Sequence, residues 1–222
     1  MKIFYFILFG FIVTEANTII IKSASYTVPA QKSFYTNNDS MKKIVIKTFK
    51  IDKYEVSNSR FGKKIEFEDE LHFPVVSLSY NDAENFCKKM DGNLPTVEQW
   101  LVASSFEKGQ FYRFATQQYP IIDEKNINVV EERASELEKN GYGALNDLVD
   151  VKDALVGNNK IVGMCGNVWE MTRSSGEYVV LKGASFYNSE SIDMMDTRVE
   201  NKVLKSSLKE YEHIGFRCVY EK

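Results

Sequence analysis

The stretch Gly166-Asn167-Val168-Trp169-Glu170 lies in a part of the chain that glycines interrupt repeatedly. Between residues 161 and 186 they stand at positions 163, 166, 176 and 183. Because glycine adopts backbone conformations that regular helices exclude, this spacing predicts short strands joined by tight loops.

Two helices are predicted upstream of this stretch. Ser79 followed by Asp82, and Thr96 followed by Gln99, have the spacing of capping boxes, which mark helix starts. The first helix has apolar residues at helical spacing, and Cys87 lies on that face. We therefore expect Cys87 to be buried and structural rather than reactive.

Strands are predicted at both ends of the chain. Residues 17–43 open with Ile19-Ile20-Ile21 and turn polar, which indicates a strand and a loop. From Ile44 to Ile51 the alternation of apolar residues changes phase near Thr48, as in a strand with a bulge. Residues 214–220 are expected to form a final strand.

Composition limits the class of protein. The chain has 222 residues, a net charge of −3 and 44% hydrophobic residues. A length and hydrophobic content of this order are typical of a single globular domain. The sequence pI near 5.6 excludes a basic nucleic-acid-binding domain.

The first 16 residues have the layout of a secretory signal peptide. Lys2 precedes an apolar run from Ile3 to Val13, and Thr14 and Ala16 place small residues at a cleavage site. An apolar run of this length is too short to span a membrane. We expect cleavage after Ala16 and a periplasmic or secreted mature chain without a membrane anchor.

The chain has three cysteines, Cys87, Cys165 and Cys218, and two histidines. An oxidising compartment would allow one internal disulfide and leave one thiol over. Spacing alone permits all three pairings. Cysteines and histidines this far apart do not have the spacing of a zinc site.

Taken in order, several segments resemble the formylglycine-generating enzyme family, also called the sulfatase-modifying factor domain. The matching segments are Phe49-Lys50-Ile51-Asp52-Lys53-Tyr54-Glu55-Val56-Ser57-Asn58, Phe73-Pro74-Val75-Val76, Asp82-Ala83 with Phe86-Cys87, Leu94-Pro95-Thr96 with Glu98 and Trp100, Gly166 to Glu170, Lys182-Gly183-Ala184-Ser185-Phe186, Arg198, and Gly215-Phe216-Arg217. The resemblance covers roughly residues 44–220. Each motif is weak alone, but their order is specific.

The resemblance implies an α+β fold related to C-type lectins over residues 44–222. Such a fold is loop-rich, with short strands and two main helices. The family's disulfide between the first helix and the last strand maps onto Cys87 and Cys218, which makes Cys165 the odd thiol.

The family's copper chemistry is not expected here. Enzymes of this family oxidise a sulfatase cysteine to formylglycine with copper held by two thiolates, and Cu(I) selects sulfur ligands. Asn188 and Asp193 occupy the positions where the resemblance places those cysteines. Relatives that form sulfoxides use a three-histidine iron site, which His72 and His213 alone cannot supply.

Calcium is the remaining cofactor that the resemblance implies. Glu170 and the carbonyls of Gly166 and Val168 align with a family calcium site, and calcium takes six to eight oxygen ligands. Gly163 replaces a further side-chain ligand of the family, and three asparagines could compensate: Asn158, Asn159 and Asn167.

Three functions remain open. The leading hypothesis is an exported domain without the copper-thiolate site that binds a peptide or protein partner in the cell envelope. The alternative is a divergent maturation enzyme acting on an exported peptide or protein, with Glu170, Arg198, Asn188 and Asp193 as weak catalytic candidates. A lectin-like carbohydrate-binding module is the third.

Overall fold

The computed structural model describes residues 17–29, 41–112, 114–115, 148–154, 156–186 and 196–221. Its regular elements are short. The strands are β1 Thr18–Ile21, β2 Ala24–Pro29, β3 Met41–Ile46, β4 Phe49–Asp52, β5 Phe106–Glu107, β6 Gln110–Phe111, β7 Trp169–Met171, β8 Tyr178–Lys182, β9 Asn201–Leu204, β10 Ile214–Gly215 and β11 Val219–Glu221. The α-helices are α1 Asn58–Phe61, α2 Tyr80–Lys89 and α3 Val97–Ser105, and 3-10 helices form at Glu68–His72, Asn158–Lys160 and Lys205–Glu210.

Both predicted capping boxes form. Ser79 Oγ accepts from the amide of Asp82, whose carboxylate accepts from the amide of Ser79 in return. Thr96 and Gln99 make the same reciprocal pair at the start of α3. These contacts satisfy amide groups that the first helical turn leaves unbonded. The prediction of two main helices is confirmed.

The strands form small separate sheets. The orders are β1-β4-β11, β10-β7-β8-β9, β2-β3 and β5-β6. All pairs are antiparallel except β10 with β7. The predicted α+β, loop-rich fold class is confirmed.

The structure corrects two strand predictions. Residues 44–51 do not form one bulged strand. The strand β3 ends before Lys47-Thr48, and the next strand, β4, belongs to a different sheet. Residues 214–220 do not form one strand either, since β10 and β11 belong to different sheets. Arg217 lies between them, with its guanidinium buried among backbone carbonyls.

One hydrophobic core connects the small sheets and the two longer helices. Trp100 from α3 and Trp169 from β7 are its largest members, and each is at most 1% exposed. A disulfide joins Cys87 in α2 to Cys218 before β11, as the resemblance implied. Cys165 is buried and outside this disulfide.

No helix among the described residues has both the length and the apolar character needed to cross a membrane. The predicted signal peptide, residues 1–16, lies outside the described residues.

Candidate functional site

Glu170 lies in the short strand β7, in register with Lys182 of β8 on one side and Gly215 of β10 on the other. Its side chain points into the core and is fully buried. Oε2 accepts a hydrogen bond from Trp100 Nε1 at 2.9 Å and from Arg217 Nε at 2.8 Å. Oε1 accepts from Arg217 Nη2 at 2.7 Å. Glu170 thus ties β7 to α3 and to the last segment of the chain.

Arg217 is the centre of this buried network. A guanidinium has five N–H donors. Beyond the two directed at Glu170, Nη1 donates to the carbonyls of Asp52 and Lys53 at 3.2 Å, and Nη2 donates to the carbonyl of Val162 at 2.8 Å. With five donors matched to five acceptors, the buried charge is both neutralised and fully hydrogen-bonded.

A second carboxyl, that of Glu55, is buried in the same region. Its Oε2 accepts from Asn167 Nδ2 at 2.7 Å, while Oε1 has no hydrogen-bond partner among the described residues. Burial raises the pKa of Glu55 well above its usual value, and the opposing effect of the Arg217 charge only partly offsets this. Glu170 raises it further.

Glu55 explains why position 163 is a glycine. A Cβ atom at Gly163 would lie 2.8 Å from Glu55 Oε2, and the backbone there has φ of +77°. Any larger residue would collide with the carboxyl and adopt a strained conformation. The space next to Gly163 is therefore occupied by the carboxyl of Glu55.

The donors around Glu170 do not fit calcium. Both carboxylate oxygens already accept hydrogen bonds, and one of the donors is a cation. The described residues hold no group of three His, Cys, Asp or Glu side chains close enough to bind a metal. Calcium at Gly166, Val168 and Glu170 stays a prediction that this arrangement disfavours.

The asparagines that could compensate have structural contacts. Asn158 Nδ2 donates to the carbonyls of Ser104 and Phe114, and Asn159 Nδ2 donates to the carbonyl of Ala103 at 3.1 Å. Two of these carbonyls belong to the end of α3, where backbone acceptors lack helical partners. Asn167 bridges Glu55 to the backbone amide of Val149.

The acid–base candidate Arg198 is paired with Asp196. Arg198 Nη2 lies 2.6 Å from Asp196 Oδ2, and the two side chains are 19% and 0% exposed. Arg198 is therefore a partly buried, ion-paired arginine, whereas the fully buried arginine with backbone carbonyl partners is Arg217.

Lys182 is a buried cation that the sequence interpretation missed. Its Nζ donates to the carbonyl of Val199 at 2.8 Å and lies 5.6 Å from the centroid of the Trp100 ring. Burial lowers the pKa of Lys182 to about 8, against the opposing effects of Glu200 and Asp196. The sequence signal was a lysine directly after the apolar run of β8.

Four further residues were singled out from the sequence: Asn188, Asp193, His72 and His213. Asn188 and Asp193 lie outside the described residues. His72 is exposed at the end of a 3-10 helix, and His213 is half-buried before β10, with its ring centroid 5.4 Å from that of Tyr211. Burial lowers the pKa of His213.

Comparisons with known proteins agree with this architecture. Two curated relatives carry the name inactive C-alpha-formylglycine-generating enzyme 2, one from Bos taurus and one from Mus musculus. The chain is 28% identical to each, over 68% of its own length and 51% and 50% of theirs. The chain therefore spans about half the length of these relatives.

Two solved structures share the fold. Treponema denticola variable protein 1 superposes with a TM-score of 0.68 at 14% identity, covering 92% of this chain and 95% of that one. CarF superposes with a TM-score of 0.61 at 14% identity, covering 93% and 98%. The sequence profile of the sulfatase-modifying factor enzyme 1-like domain matches residues 12–222. On this match and the motifs that build the buried network, the chain belongs to the sulfatase-modifying factor enzyme 1-like domain family.

Proposed function

We propose that this chain is an exported member of its family that has lost the copper chemistry and binds a peptide or protein partner in the cell envelope. The main observation in support is the number of cysteines that remain for a copper site. Two of the three in the chain, Cys87 and Cys218, are consumed by a disulfide. Cys165 alone cannot provide the two thiolates that the family's copper site uses.

The charged candidates for acid–base catalysis that the structure describes are engaged inside the fold. Glu170 is fully buried against Trp100 and Arg217, and Arg198 is held by Asp196. A general acid or base must come within hydrogen-bonding reach of its substrate. Glu170 and Arg198 therefore support the fold rather than a reaction, which favours binding over catalysis.

The curated relatives support the same conclusion. Both carry the word inactive in their names. A family member can keep the fold after losing its chemistry, because the buried network and the reacting residues are separate sets of side chains. We infer that the fold is retained here for recognition.

We propose that the peptide or protein partner binds at the positions where enzymes of the family hold their reacting cysteines. In this sequence those positions are Asn188 and Asp193, between the described residues Phe186 and Asp196. A polar pair at these positions suits hydrogen bonding to an extended peptide. The location of the partner is thus a proposal based on the family's motif order.

A pull-down of the exported protein from envelope extract tests the binding function. Asn188→Trp, which would obstruct the proposed site, should lose the partner that the unsubstituted chain retains. Lys89→Trp, on the exposed end of α2, is the matched control and should retain it. Equal recovery by both variants would place the partner elsewhere.

Three measurements test the alternative functions. Stoichiometric copper or iron in the purified protein, or an aldehyde formed on a cysteine-containing sulfatase peptide, would contradict the non-catalytic function and favour a maturation enzyme. Glycan binding that Asn188→Trp removes would instead support the lectin-like module.

A further inference from the structure

Positive charge is concentrated at the N-terminal end of the fold. Residues 17–51 contain six lysines and one aspartate, a net charge of +5, whereas the whole chain carries −3. The first 16 residues are neutral overall, so residues 52–222 carry −8. The described part of residues 17–51 has five lysines and no acidic side chain.

Much of this charge surrounds the two-stranded sheet β2-β3. We call residues 22–29 and 41–47 the basic ribbon. One face of the ribbon packs on the core, since Val28, Ile44 and Ile46 are 3–8% exposed. Tyr26, from the same face, lies against Phe106 with ring centroids 4.8 Å apart. The ribbon is therefore fixed to the domain by its inner face.

The outer face of the basic ribbon is solvent-exposed and partly apolar. Side chains at alternate positions of a strand share a face, which puts Met41, Lys43 and Val45 together on the outside. Val45 is 77% exposed and Met41 is 60% exposed. Lys22 and Lys47, also exposed, flank the strands. The exposed apolar side chains of this face are thus flanked by lysines.

We propose that the outer face of the basic ribbon is a docking surface for an anionic lipid membrane. Lysines near such a surface are attracted to the negative headgroups, and short apolar side chains enter the interfacial layer. The −8 charge of the remaining chain is repelled by the same surface, which orients the domain with the ribbon toward the lipid.

The size of the face favours a membrane over a protein partner. Six-residue strands extend about 20 Å, and a two-stranded ribbon is about 10 Å wide, so the face covers about 200 Å². A stable protein interface buries about 800 Å² on each partner. A fluid membrane needs no complementary shape, so a small basic and apolar face is sufficient for reversible attachment.

The N-terminal position of the ribbon agrees with this proposal. The apolar run that predicts a secretory signal ends shortly before β1, so this end of the chain stays near the membrane during export. Peripheral attachment through lysines is compatible with the expected lack of a membrane anchor after signal cleavage. The docking surface does not depend on partner binding near Asn188.

Vesicle co-sedimentation of the purified exported protein tests the proposal. One set of vesicles contains phosphatidylcholine alone, and the other contains equal parts of phosphatidylcholine and phosphatidylglycerol. We expect binding to the second set only, weakened by high salt because screening shortens the range of the attraction. Binding to neither set, or equal binding to both, would overturn the proposal.

Charge variants locate the surface. Replacing Lys22, Lys43 and Lys47 by Gln should lower the partition coefficient on anionic vesicles by at least about tenfold. The control replaces three exposed lysines elsewhere, Lys64, Lys89 and Lys152, and changes the net charge by the same amount. The control should bind like the unsubstituted protein, and an equal loss in both variants would contradict a local surface.

A second pair of variants measures how much the exposed apolar side chains contribute to vesicle binding. Val45→Ser should weaken vesicle binding severalfold, because a side chain that enters the interface is lost. Leu204→Ser, at another exposed apolar position, should leave binding unchanged. Circular dichroism checks that all variants are folded. If the ribbon variants bind vesicles like the unsubstituted protein but lose binding to an acidic polypeptide, the ribbon would be assigned to a protein partner instead.

Discussion

Glu170 and Arg217 form a bidentate ion pair in which neither side chain is exposed, with contacts of 2.7 and 2.8 Å. The pair joins β7 to the segment between β10 and β11, 47 positions later in the chain. Both residues come from family motifs, Gly166 to Glu170 and Gly215 to Arg217. The two motifs therefore supply the two partners of one contact in the folded chain.

We expect Arg217→Met to lower the free energy of unfolding by about 3–5 kcal/mol, because it leaves the Glu170 carboxylate buried without its counter-charge. Urea titration followed by fluorescence measures this change. The double variant Arg217→Met with Glu170→Gln should be less destabilised than the sum of the single variants.

The surface pair of Lys88 and Glu84 on α2 is the matched control. Its side chains are 54% and 29% exposed, with a 2.8 Å contact. Lys88→Met should cost at most about 1 kcal/mol, as is usual for surface ion pairs. Equal effects at Lys88 and Arg217 would contradict the central role of the buried pair.

Gly163→Ala should destabilise the fold by more than Gly166→Ala. Both glycines have positive φ, a strain of about 1–2 kcal/mol for alanine. At Gly163 the new Cβ also meets Glu55 Oε2 at 2.8 Å, whereas nothing lies within 4 Å at Gly166. Thermal unfolding of the two variants measures the difference.

A double-mutant cycle tests why Gly163→Ala should be more destabilising than Gly166→Ala. If the carboxyl of Glu55 occupies the space, Glu55→Ala should remove most of the additional cost of Gly163→Ala. Strictly additive effects would show that Gly163 is required only for its backbone conformation.

The helices could be predicted from sequence because their signals are local. Ser79 with Asp82 and Thr96 with Gln99 are three positions apart, and each capping box depends only on that spacing. The roles of Arg217 and Glu55 depend on partners far away in the chain, such as the carbonyl of Asp52, 165 positions from Arg217. A single sequence does not show which distant atoms meet.

The same distinction applies to the two arginines of the family motifs, Arg198 and Arg217. Two arginines in family motifs were available for the buried position, and sequence offered no contact to distinguish them. One signal was present, since Arg217 stands inside the apolar run Ile214-Gly215-Phe216-Arg217-Cys218-Val219. A charge flanked on both sides by core residues has to be buried with a partner.

Stability should increase with pH between about 8 and 10 because of Lys182. Its pKa is about 8 in the folded chain and near 10.5 when solvated, so the unfolded chain binds more protons in this window. The unfolding free energy then rises by up to about 1.4 kcal/mol per pH unit. Urea titrations at several pH values measure the slope.

Two variants test whether Lys182 causes the increase of the unfolding free energy with pH. Lys182→Met should abolish it, while Lys202→Met, at an exposed position of β9, should keep it. Tyrosines act in the opposite direction at higher pH, since burial raises the pKa of Tyr220 to about 12. The comparison is therefore made below pH 10. An unchanged slope in Lys182→Met would contradict the assignment.

Removing the Cys87–Cys218 disulfide should cost about 4–5 kcal/mol in the chain-entropy model, because it closes a loop of 131 positions. This is a large part of the usual stability of a domain, so the Cys87→Ala, Cys218→Ala variant should unfold at much lower urea concentration. Cys165→Ala removes a buried thiol without opening the loop and should cost far less. A larger loss for Cys165→Ala than for the double variant would show that this loop closure does not dominate stability.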